Sequence, residues 1–227
     1  LIFREENTIE RMKTSIPSNQ YINIIFTKYF PQIIKLIVSI SYLKCSKVIA
    51  NSDDTAADIR SFLIFKKPIV KVIPNPVLPI NFNPNQYSHS NHSWLKNKHI
   101  KVILGVGRLV KQKRFDILLR AFSQAIKKDK NIRLIICGQG REENNLKDLS
   151  KKLKISQFVC FKGFISDPYS YFKSADIFCL TSEYEGFGNV IVEAMSFGLK
   201  IILSECRGGP NSIFRKNKFI EFFPVND

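Results

Sequence analysis

The 227 residues provide enough chain for one or two domains, and a hydrophobic fraction of 44% can build a buried core. With 24% charged residues the composition is globular, which excludes disordered and fibrous classes of protein. The net charge of +16 suits phosphorylated substrates, nucleic acid or anionic lipid, although an AT-rich genome that enriches Lys, Asn, Ile and Phe explains it equally well.

The first third of the chain predicts strands alternating with helices. We expect strands at 1–4, 47–50 and 69–73, and helices at about 20–44 and 53–65. Asn51, Ser52, Asp53 and Asp54 offer an N-cap and acidic first-turn groups to the second helix. Prolines and many Asn and Ser residues follow with little periodicity, which predicts a linker at 75–100.

From Lys101 onward the alternation is regular. Strands are predicted at 101–106, 132–137, 157–161, 176–181, 200–204 and 218–222, and helices at about 114–128, 142–153, 168–174, 188–197 and 210–215. Short apolar strands between amphipathic helices favour an α/β fold with a parallel sheet covered on both faces. Ligands of such sheets bind beyond the carboxyl ends of the strands, so functional residues are expected in the strand-to-helix loops.

Cysteines and apolar runs indicate the compartment. The five cysteines form no CxxC pair, which predicts a reducing cytosolic compartment without disulfides or zinc. The apolar run at 33–43 is too short to span a bilayer. The basic, apolar helix at 20–44 either lies on an anionic lipid surface or packs its apolar face on its own domain. Both chain ends look cut, so we expect a fragment of a longer protein.

Two glycine loops follow predicted strands. Gly107 and Arg108, with Lys113 five residues further on, combine close backbone approach with two cations that suit a diphosphate. Gly138 opens a second loop at the same predicted sheet edge, where it would form another wall of the site. Taken alone, each motif is equally explained by a tight turn beside surface charges.

The loop at 182–189 is the most informative. Gly186 and Gly188 flank Phe187 where the chain turns from strand to helix. The helix N-terminal amides, from Gly188 through Asn189 to Val190, would be free to bind phosphate.

Glu185 precedes this helix and Glu193 lies within it. A carboxylate accepts paired hydrogen bonds from vicinal hydroxyls, so two acids beside a phosphate site favour a nucleotide sugar over a bare nucleotide. Taken singly, a loop charge and a solvated helix residue remain sufficient explanations.

Together these motifs resemble family 4 of the retaining glycosyltransferases, which have the GT-B fold. The resemblance rests on Gly107-Arg108 with Lys113, on Glu185-Gly186-Phe187-Gly188 and on Glu193-Ala194-Met195, with the two glutamates eight positions apart. It extends through about 48–214. It implies a Rossmann-like nucleotide-sugar-binding domain at 101–227, truncated at its end, and a partial second Rossmann-like domain at 1–74, the remnant of an acceptor-side domain.

The resemblance also implies residue roles. Arg108 and Lys113 would hold the diphosphate and stabilise the departing nucleotide, Glu185 would contact the donor sugar, and Glu193 would bind the ribose. The expected catalytic residues are Glu185, Arg108 and Lys113. The expected substrate-binding residues are Gly107, Arg108, Lys113, Gly138, Phe164, Ile165, Glu185, Gly186, Phe187, Gly188, Asn189, Val190 and Glu193, of which Phe164 and Ile165 would frame the base by their backbone.

We therefore expect retaining transfer of a hexose or N-acetylhexosamine from a nucleotide diphosphate sugar to a glycan or lipid-linked acceptor in surface polysaccharide synthesis. UDP is the expected nucleotide, because Gly208-Gly209-Pro210-Asn211 resembles members that use UDP-sugars. No metal or other cofactor and no nucleic acid are expected. The expected location is the cytoplasm or the inner face of the plasma membrane, with peripheral contact to anionic lipid.

Two departures from the family pattern limit the expectation. Arg114 stands where the family often has glycine, and it either adds charge near the site or points to solvent. Much of the acceptor-side domain is absent, so this chain alone is expected to bind the donor without transferring sugar. The alternative function is a non-catalytic basic module that docks anionic lipid or nucleic acid, although no RNA-binding signature supports it.

Overall fold

The computed structural model describes the backbone of residues 20–65 and 68–225 and the side chains of 31–65 and 68–225. The chain divides into two compact units, residues 1–75 and 76–227. The strand predicted at 1–4 lies outside the described residues.

The first unit contains a two-stranded parallel sheet. Its elements are α1 (Gln20–Leu43), β1 (Lys47–Ala50), α2 (Asp53–Phe62) and β2 (Ile69–Val72), with β1 paired to β2. The Ser52 side chain caps α2 by accepting a hydrogen bond from the Thr55 amide. A small core joins α1, β1 and α2 through Tyr42, Val48, Ala50, Ala56, Ile59 and Leu63.

Helix α2 ends three residues earlier than predicted. Leu63 is already extended, with a ψ angle of 130°. The next amide, that of Ile64, donates to the Ser39 hydroxyl of α1 at 3.1 Å. Because the Ile64 amide bonds to Ser39 instead of to a carbonyl of α2, the helix ends here although the sequence pattern would continue it.

One face of α1 is apolar and exposed. Its exposed aliphatic side chains are Ile33, Leu36, Ile37, Ile40 and Leu43. Within the part of the chain that the structure describes, no helix has the length and hydropathy needed to cross a membrane. Peripheral contact with anionic lipid stays a prediction.

The second unit contains a six-stranded parallel sheet with the strand order β10-β8-β6-β3-β4-β5. Its strands are β3 (Lys101–Val106), β4 (Ile132–Cys137), β5 (Val159–Gly163), β6 (Ile177–Leu180), β8 (Lys200–Ser204) and β10 (Ile220–Phe223). A separate short pair consists of β7 (Tyr184–Glu185) and β9 (Arg207–Gly208). The helices are α3 (Ser93–Lys96), α4 (Phe115–Lys128), α5 (Glu143–Lys152), α6 (Tyr169–Ser174), α7 (Asn189–Ser196) and α8 (Gly209–Phe214).

Apolar cores lie on both faces of this sheet. On one face, Phe122 of α4 and Leu146 of α5 pack with Leu134 of β4. On the other face, Phe172 of α6 and Ile191 of α7 belong to a second cluster. Buried residues therefore occur on both sides of each central strand, as a parallel sheet between helical layers requires. The prediction of a parallel sheet with helices on both faces is confirmed.

Two strands of the large sheet begin two residues later than predicted. β5 begins at Val159 rather than 157, because a 3-10 helix at Ser156–Phe158 takes up the preceding residues. β10 begins at Ile220 rather than 218, because the Asn217 side chain accepts the Phe219 amide and its carbonyl accepts the Ile220 amide. In both cases a local turn takes up residues that the apolar pattern predicts to be strand.

The segment predicted as a linker carries short structure of its own. It contains a 3-10 helix at Pro84–Gln86 and helix α3. The Tyr87 and Tyr169 rings meet edge to face with centroids 4.7 Å apart, and the Phe82 and Phe197 rings are 5.6 Å apart. Aromatic packing therefore holds this part of the segment on the second unit.

Asp176 offers a test of how the sheet is held. Its carboxylate accepts from the buried Val102 amide at 2.8 Å and pairs with Lys101 at 2.9 Å. Asp176→Ala should lower the free energy of unfolding by about 1–3 kcal/mol, because the Val102 amide loses its acceptor. Urea denaturation measures this. Asp148→Ala, which removes an exposed pair with Lys151, is the control and should unfold at the wild-type midpoint. An unchanged midpoint for Asp176→Ala contradicts the argument.

Candidate functional site

Three glycines join the carboxyl ends of β3, β4 and β5. The Gly107 amide donates to the Cys137 carbonyl at 3.0 Å, and the Gly138 amide donates to the Gly163 carbonyl at 2.7 Å. Gly138 has a φ of +145°, and a Cβ there would lie 1.8 Å from the Gly107 carbonyl oxygen. A side chain at Gly138 therefore cannot be accommodated without moving the loop that carries Gly107.

The two predicted phosphate-binding cations have different surroundings. Lys113 ends a 3-10 helix at Lys111–Lys113, and its side chain runs beside Gly107, where a Cβ would lie 3.4 Å from the Lys113 Cε. The Arg108 side chain is exposed, and among residues 31–65 and 68–225 its guanidinium has no hydrogen bond or ion pair. Arg108 can therefore bind an anion without first breaking an internal contact of this kind.

Polar side chains hold the loop after β6 against the loop at 107–114, which carries Lys113 and is called the lysine loop below. The Thr181 Oγ1 lies 2.9 Å from both the Lys113 and the Arg114 carbonyl oxygens and donates to this pair. The Gln112 Nε2 donates to the Tyr184 carbonyl at 2.8 Å. These contacts bridge about 70 residues of sequence and hold the two loops side by side.

Arg114 occupies a backbone conformation that suits glycine. Its φ of 47° and ψ of 40° lie in the left-handed region. Its guanidinium pairs with Asp116, with 3.1 Å between Nε and Oδ1. The left-handed backbone gives a physical reason for the glycine that the resembling family often has at this position.

Glu185 is a buried acid at the centre of the site. Only 8% of the residue is exposed, and its carboxylate forms an ion pair with the Lys113 ammonium. The Ser182 hydroxyl donates to the same oxygen, Oε1, at 2.6 Å. Cys206 lies close enough to be influenced by this pair, and burial raises the pKa of its thiol to about 12. The thiol is therefore neutral and adds no charge to the pair.

Adjacent glycines let a second segment pack beneath Glu185. A Cβ at Gly208 would lie 1.9 Å from the Glu185 carbonyl oxygen, and one at Gly209 would lie 2.4 Å from the Gly186 carbonyl oxygen. The backbones of β7 and β9 pair at this point, with Glu185 opposite Gly208. The backbone that carries Glu185 is therefore held by direct main-chain contact.

Helix α7 begins directly after this turn. Gly188 is its N-cap, with a φ of +79° and a ψ of +52°. Because glycine has no side chain, no side-chain oxygen of the N-cap competes with a ligand for the first amides of the helix. Phe187 is buried and anchors the turn, so the N-terminus of α7 is fixed at the carboxyl edge of the sheet.

Glu193 is half-buried within α7. Among the described residues its carboxylate accepts no hydrogen bond and forms no ion pair. Burial raises its pKa, because the ionised form loses hydration without gaining a partner. Tyr169 lies near it: burial raises the pKa of the Tyr169 phenol, and the charge of Glu193 raises it further. A desolvated carboxylate without a donor is typical of a ligand site.

The residues expected near the base follow β5. Phe164 is 68% exposed, whereas Ile165 packs against the apolar core. The Gly163 carbonyl binds the Gly138 amide, which places this loop beside the junction of β4 and β3.

The structure brings some predicted residues into contact and leaves others apart. Gly107 contacts Gly138 and Lys113, and Lys113 contacts Glu185. Arg108 and Glu193 have no hydrogen bond or ion pair with any of these in the described chain. Sequence reasoning did not identify the polar side chains that fix the loops, which are Gln112, Thr181, Ser182 and Ser204.

Comparison with known proteins decides the family. The model of the family described as glycosyl transferases group 1 matches residues 89–226, more than half of the chain. The chain belongs to this family. This glycosyltransferase chain is 39% identical over 140 residues to an uncharacterized glycosyltransferase of Haemophilus influenzae, covering 61% of this chain and 39% of that protein.

A second relative has a named activity. The N-acetylgalactosamine-N,N'-diacetylbacillosaminyl-diphospho-undecaprenol 4-alpha-N-acetylgalactosaminyltransferase of Campylobacter jejuni is 28% identical over 188 residues, which cover 82% of this chain and 48% of that protein. The chain thus spans half or less of the length of these relatives.

Solved structures agree on the fold. Anabaena HepE in complex with UDP-glucose superposes with a TM-score of 0.72 at 23% identity, over 88% of this chain and 56% of that one. TarM superposes with a TM-score of 0.70 at 20% identity, over 85% of this chain and 36% of that one. The predicted GT-B fold class is therefore confirmed.

A pair of glycine substitutions tests the close approach of Gly138 to the Gly107 carbonyl. Gly138→Ala should unfold the loop or displace Gly107, since both the positive φ and the backbone clash oppose a Cβ. Gly198→Ala is the matched control, because Gly198 also has a positive φ of +74° but no atom within 4 Å of its Cβ position. We expect the melting temperature to fall much further for Gly138→Ala. Equal losses would contradict the close approach.

Proposed function

We propose that the second unit binds a nucleotide diphosphate sugar, a UDP-sugar, at the carboxyl edge of its sheet. The observation that carries the proposal is that Arg108, without an ion pair in the described chain, and the buried Lys113–Glu185 pair lie in loops at the carboxyl ends of the strands, while Glu193, a carboxylate without a donor among the described residues, lies in the helix that follows Glu185. A phosphate, a ribose diol and a hexose are the chemical groups that would satisfy these side chains together.

The diphosphate would lie between Arg108, Lys113 and the first amides of α7. The exposed guanidinium of Arg108 can bind two phosphate oxygens, and the helix terminus favours negative charge. Three sources of positive potential at one edge support a site that works without a metal ion. Arg108 and Lys113 would also stabilise the charge that develops on the departing nucleotide.

The nucleoside would extend toward Glu193 and the loop after β5. The Glu193 carboxylate gains hydrogen bonds from two ribose hydroxyls and thereby recovers part of the hydration that burial removes. The exposed ring of Phe164 and the backbone of Ile165 lie on the strand-to-helix loop where the base would be framed.

The sugar would lie against Glu185 and the backbone of Gly186, Phe187 and Asn189. Glu185 is held by its ion pair on one oxygen, and main-chain groups of the turn would supply further hydrogen bonds to hydroxyls. We propose retaining transfer of a hexose or N-acetylhexosamine to a glycan or lipid-linked acceptor. The name of the Campylobacter relative describes an acceptor linked to diphospho-undecaprenol, which supports that class.

Sugar transfer is proposed for the whole protein, and donor binding for this chain. The four side chains that contact the donor in this proposal, Arg108, Lys113, Glu185 and Glu193, all belong to the second unit. The chain spans about half of the relatives' length, so the remaining length of such proteins is where acceptor contacts are expected.

The phosphate contact predicts metal-free binding. UDP should bind equally well with and without EDTA in isothermal titration calorimetry, and Arg108→Ala should weaken it by about 1.5–3 kcal/mol, the cost of a lost hydrogen bond to a charged group. Arg120→Ala removes the same charge from an exposed position on α4 and should leave the affinity unchanged. A strict magnesium requirement would refute the metal-free site.

The two glutamates should separate by role. Glu193→Gln should weaken UDP and UDP-sugar alike, because ribose is common to both. It should also raise the melting temperature of the free protein at neutral pH: the raised pKa means that folding disfavours the ionised carboxylate, and an amide removes that cost.

Glu185→Gln, by contrast, should bind UDP at least as tightly as the wild type, because it removes the carboxylate that competes with phosphate for Lys113, and it should lose the preference for the intact UDP-sugar. Calorimetry with UDP, UDP-glucose and UDP-N-acetylglucosamine distinguishes the two patterns. Wild-type affinities in both variants would remove the main support for a donor site.

A further inference from the structure

The two oxygens of the Glu185 carboxylate have different environments. Oε1 accepts from both the Lys113 ammonium and the Ser182 hydroxyl. Among the described residues, Oε2 has no hydrogen-bond donor, and it is not a fully buried unsatisfied atom. The carboxylate is therefore anchored by one oxygen, while the other keeps some exposure and is not occupied by a donor of the described chain.

Ser182 is itself fixed. It is fully buried, at 0% exposure, in the loop between β6 and β7. Its carbonyl accepts the Ser204 hydroxyl at 2.6 Å, which ties this loop to the end of β8. Its neighbour Thr181 holds the lysine loop. Ser182 thus has a rigid backbone and a hydroxyl that reaches Glu185 rather than water.

The two anchors of Oε1 respond differently to a diphosphate. The Lys113 ammonium is a cation and is attracted by phosphate charge, so an arriving donor competes with Glu185 for it. The Ser182 hydroxyl is neutral, and its single proton points at Oε1. When Lys113 turns toward phosphate, Ser182 is the contact that still holds the carboxylate.

We propose that Ser182 is a positioning residue that keeps Glu185 aimed at the donor sugar while Lys113 engages the diphosphate. It thereby determines the preference for an intact nucleotide sugar over the free nucleotide. This inference rests on the proposed function, because it names a determinant of specificity within the same site.

Ser182→Ala should leave UDP affinity within about twofold, because the residue contacts neither phosphate nor ribose in this account. The preference for UDP-sugar over UDP should fall about five- to tenfold, the size of the net contribution of one ordinary hydrogen bond. Calorimetry with UDP, UDP-glucose, UDP-galactose and UDP-N-acetylglucosamine measures both. Ser182→Thr, which keeps the hydroxyl, should retain more of the preference than Ser182→Cys, whose thiol is a weak donor.

Ser123→Ala is the matched control. Ser123 is also buried, but its hydroxyl donates to the Arg120 carbonyl within α4, away from the site. This variant should keep the wild-type preference. A Ser182→Ala protein that lowers UDP and UDP-sugar affinity equally, or that changes neither, overturns the proposal.

A stability measurement separates this inference from the function on which it rests. If the wild-type chain binds neither UDP nor any UDP-sugar, the proposed function fails. The hydrogen bond from Ser182 to Glu185 can still be tested by urea unfolding of Ser182→Ala, Glu185→Gln and the double variant. Positioning requires that the double variant loses less stability than the two single losses combined. Additive losses would show that Ser182 does not act through Glu185.

Discussion

The ion pair between Lys113 and Glu185 fixes the separation of two loops that are far apart in sequence. Both side chains are nearly buried, with 12% and 10% exposed. Burying two charges opposes folding, and such a pair often adds little net stability, whereas removing one partner typically costs about 3–5 kcal/mol. The pair therefore matters for the positions of the two side chains more than for net stability. It places the cation proposed to bind phosphate and the carboxylate proposed to bind sugar hydroxyls one contact apart, while Thr181 and Ser182 hold the backbone and the carboxylate around it.

The site also contains groups that the fold leaves unsatisfied. Glu193 is desolvated without a donor, and Arg108 has no internal partner in the described chain. Each lowers the stability of the free protein or contributes nothing to it, and each would gain a partner if a nucleotide sugar binds as proposed. Rigid elements carry these groups, since α7 is packed through Ile191 and the β3 loop is held at Gly138. A stable sheet thus supports loops whose unpaired side chains a ligand would bind.

Much of this could be predicted from the sequence, because strands and helices depend on local periodicity. The sequence predicts the six strands of the large sheet but not the short pair β7 and β9, and the family motifs indicate Glu185, Glu193 and Arg108. The errors have physical causes: Asn217 delays β10, and the Ser39 hydroxyl ends α2. The bracing of the site could not be predicted, because buried serine and threonine side chains have no periodic pattern and their partners lie up to about 70 residues away.

All the site roles proposed above require that a nucleotide diphosphate binds at the carboxyl edge of the six-stranded sheet. Amide chemical-shift changes in ¹⁵N-labelled protein titrated with UDP test it residue by residue. If UDP binds there, we expect shifts concentrated at 107–113, 138–140, 164–165 and 185–193, unchanged by EDTA, with the amides of 20–62 unaffected. Shifts centred on α1, at the amino ends of the strands or nowhere along the chain would contradict it.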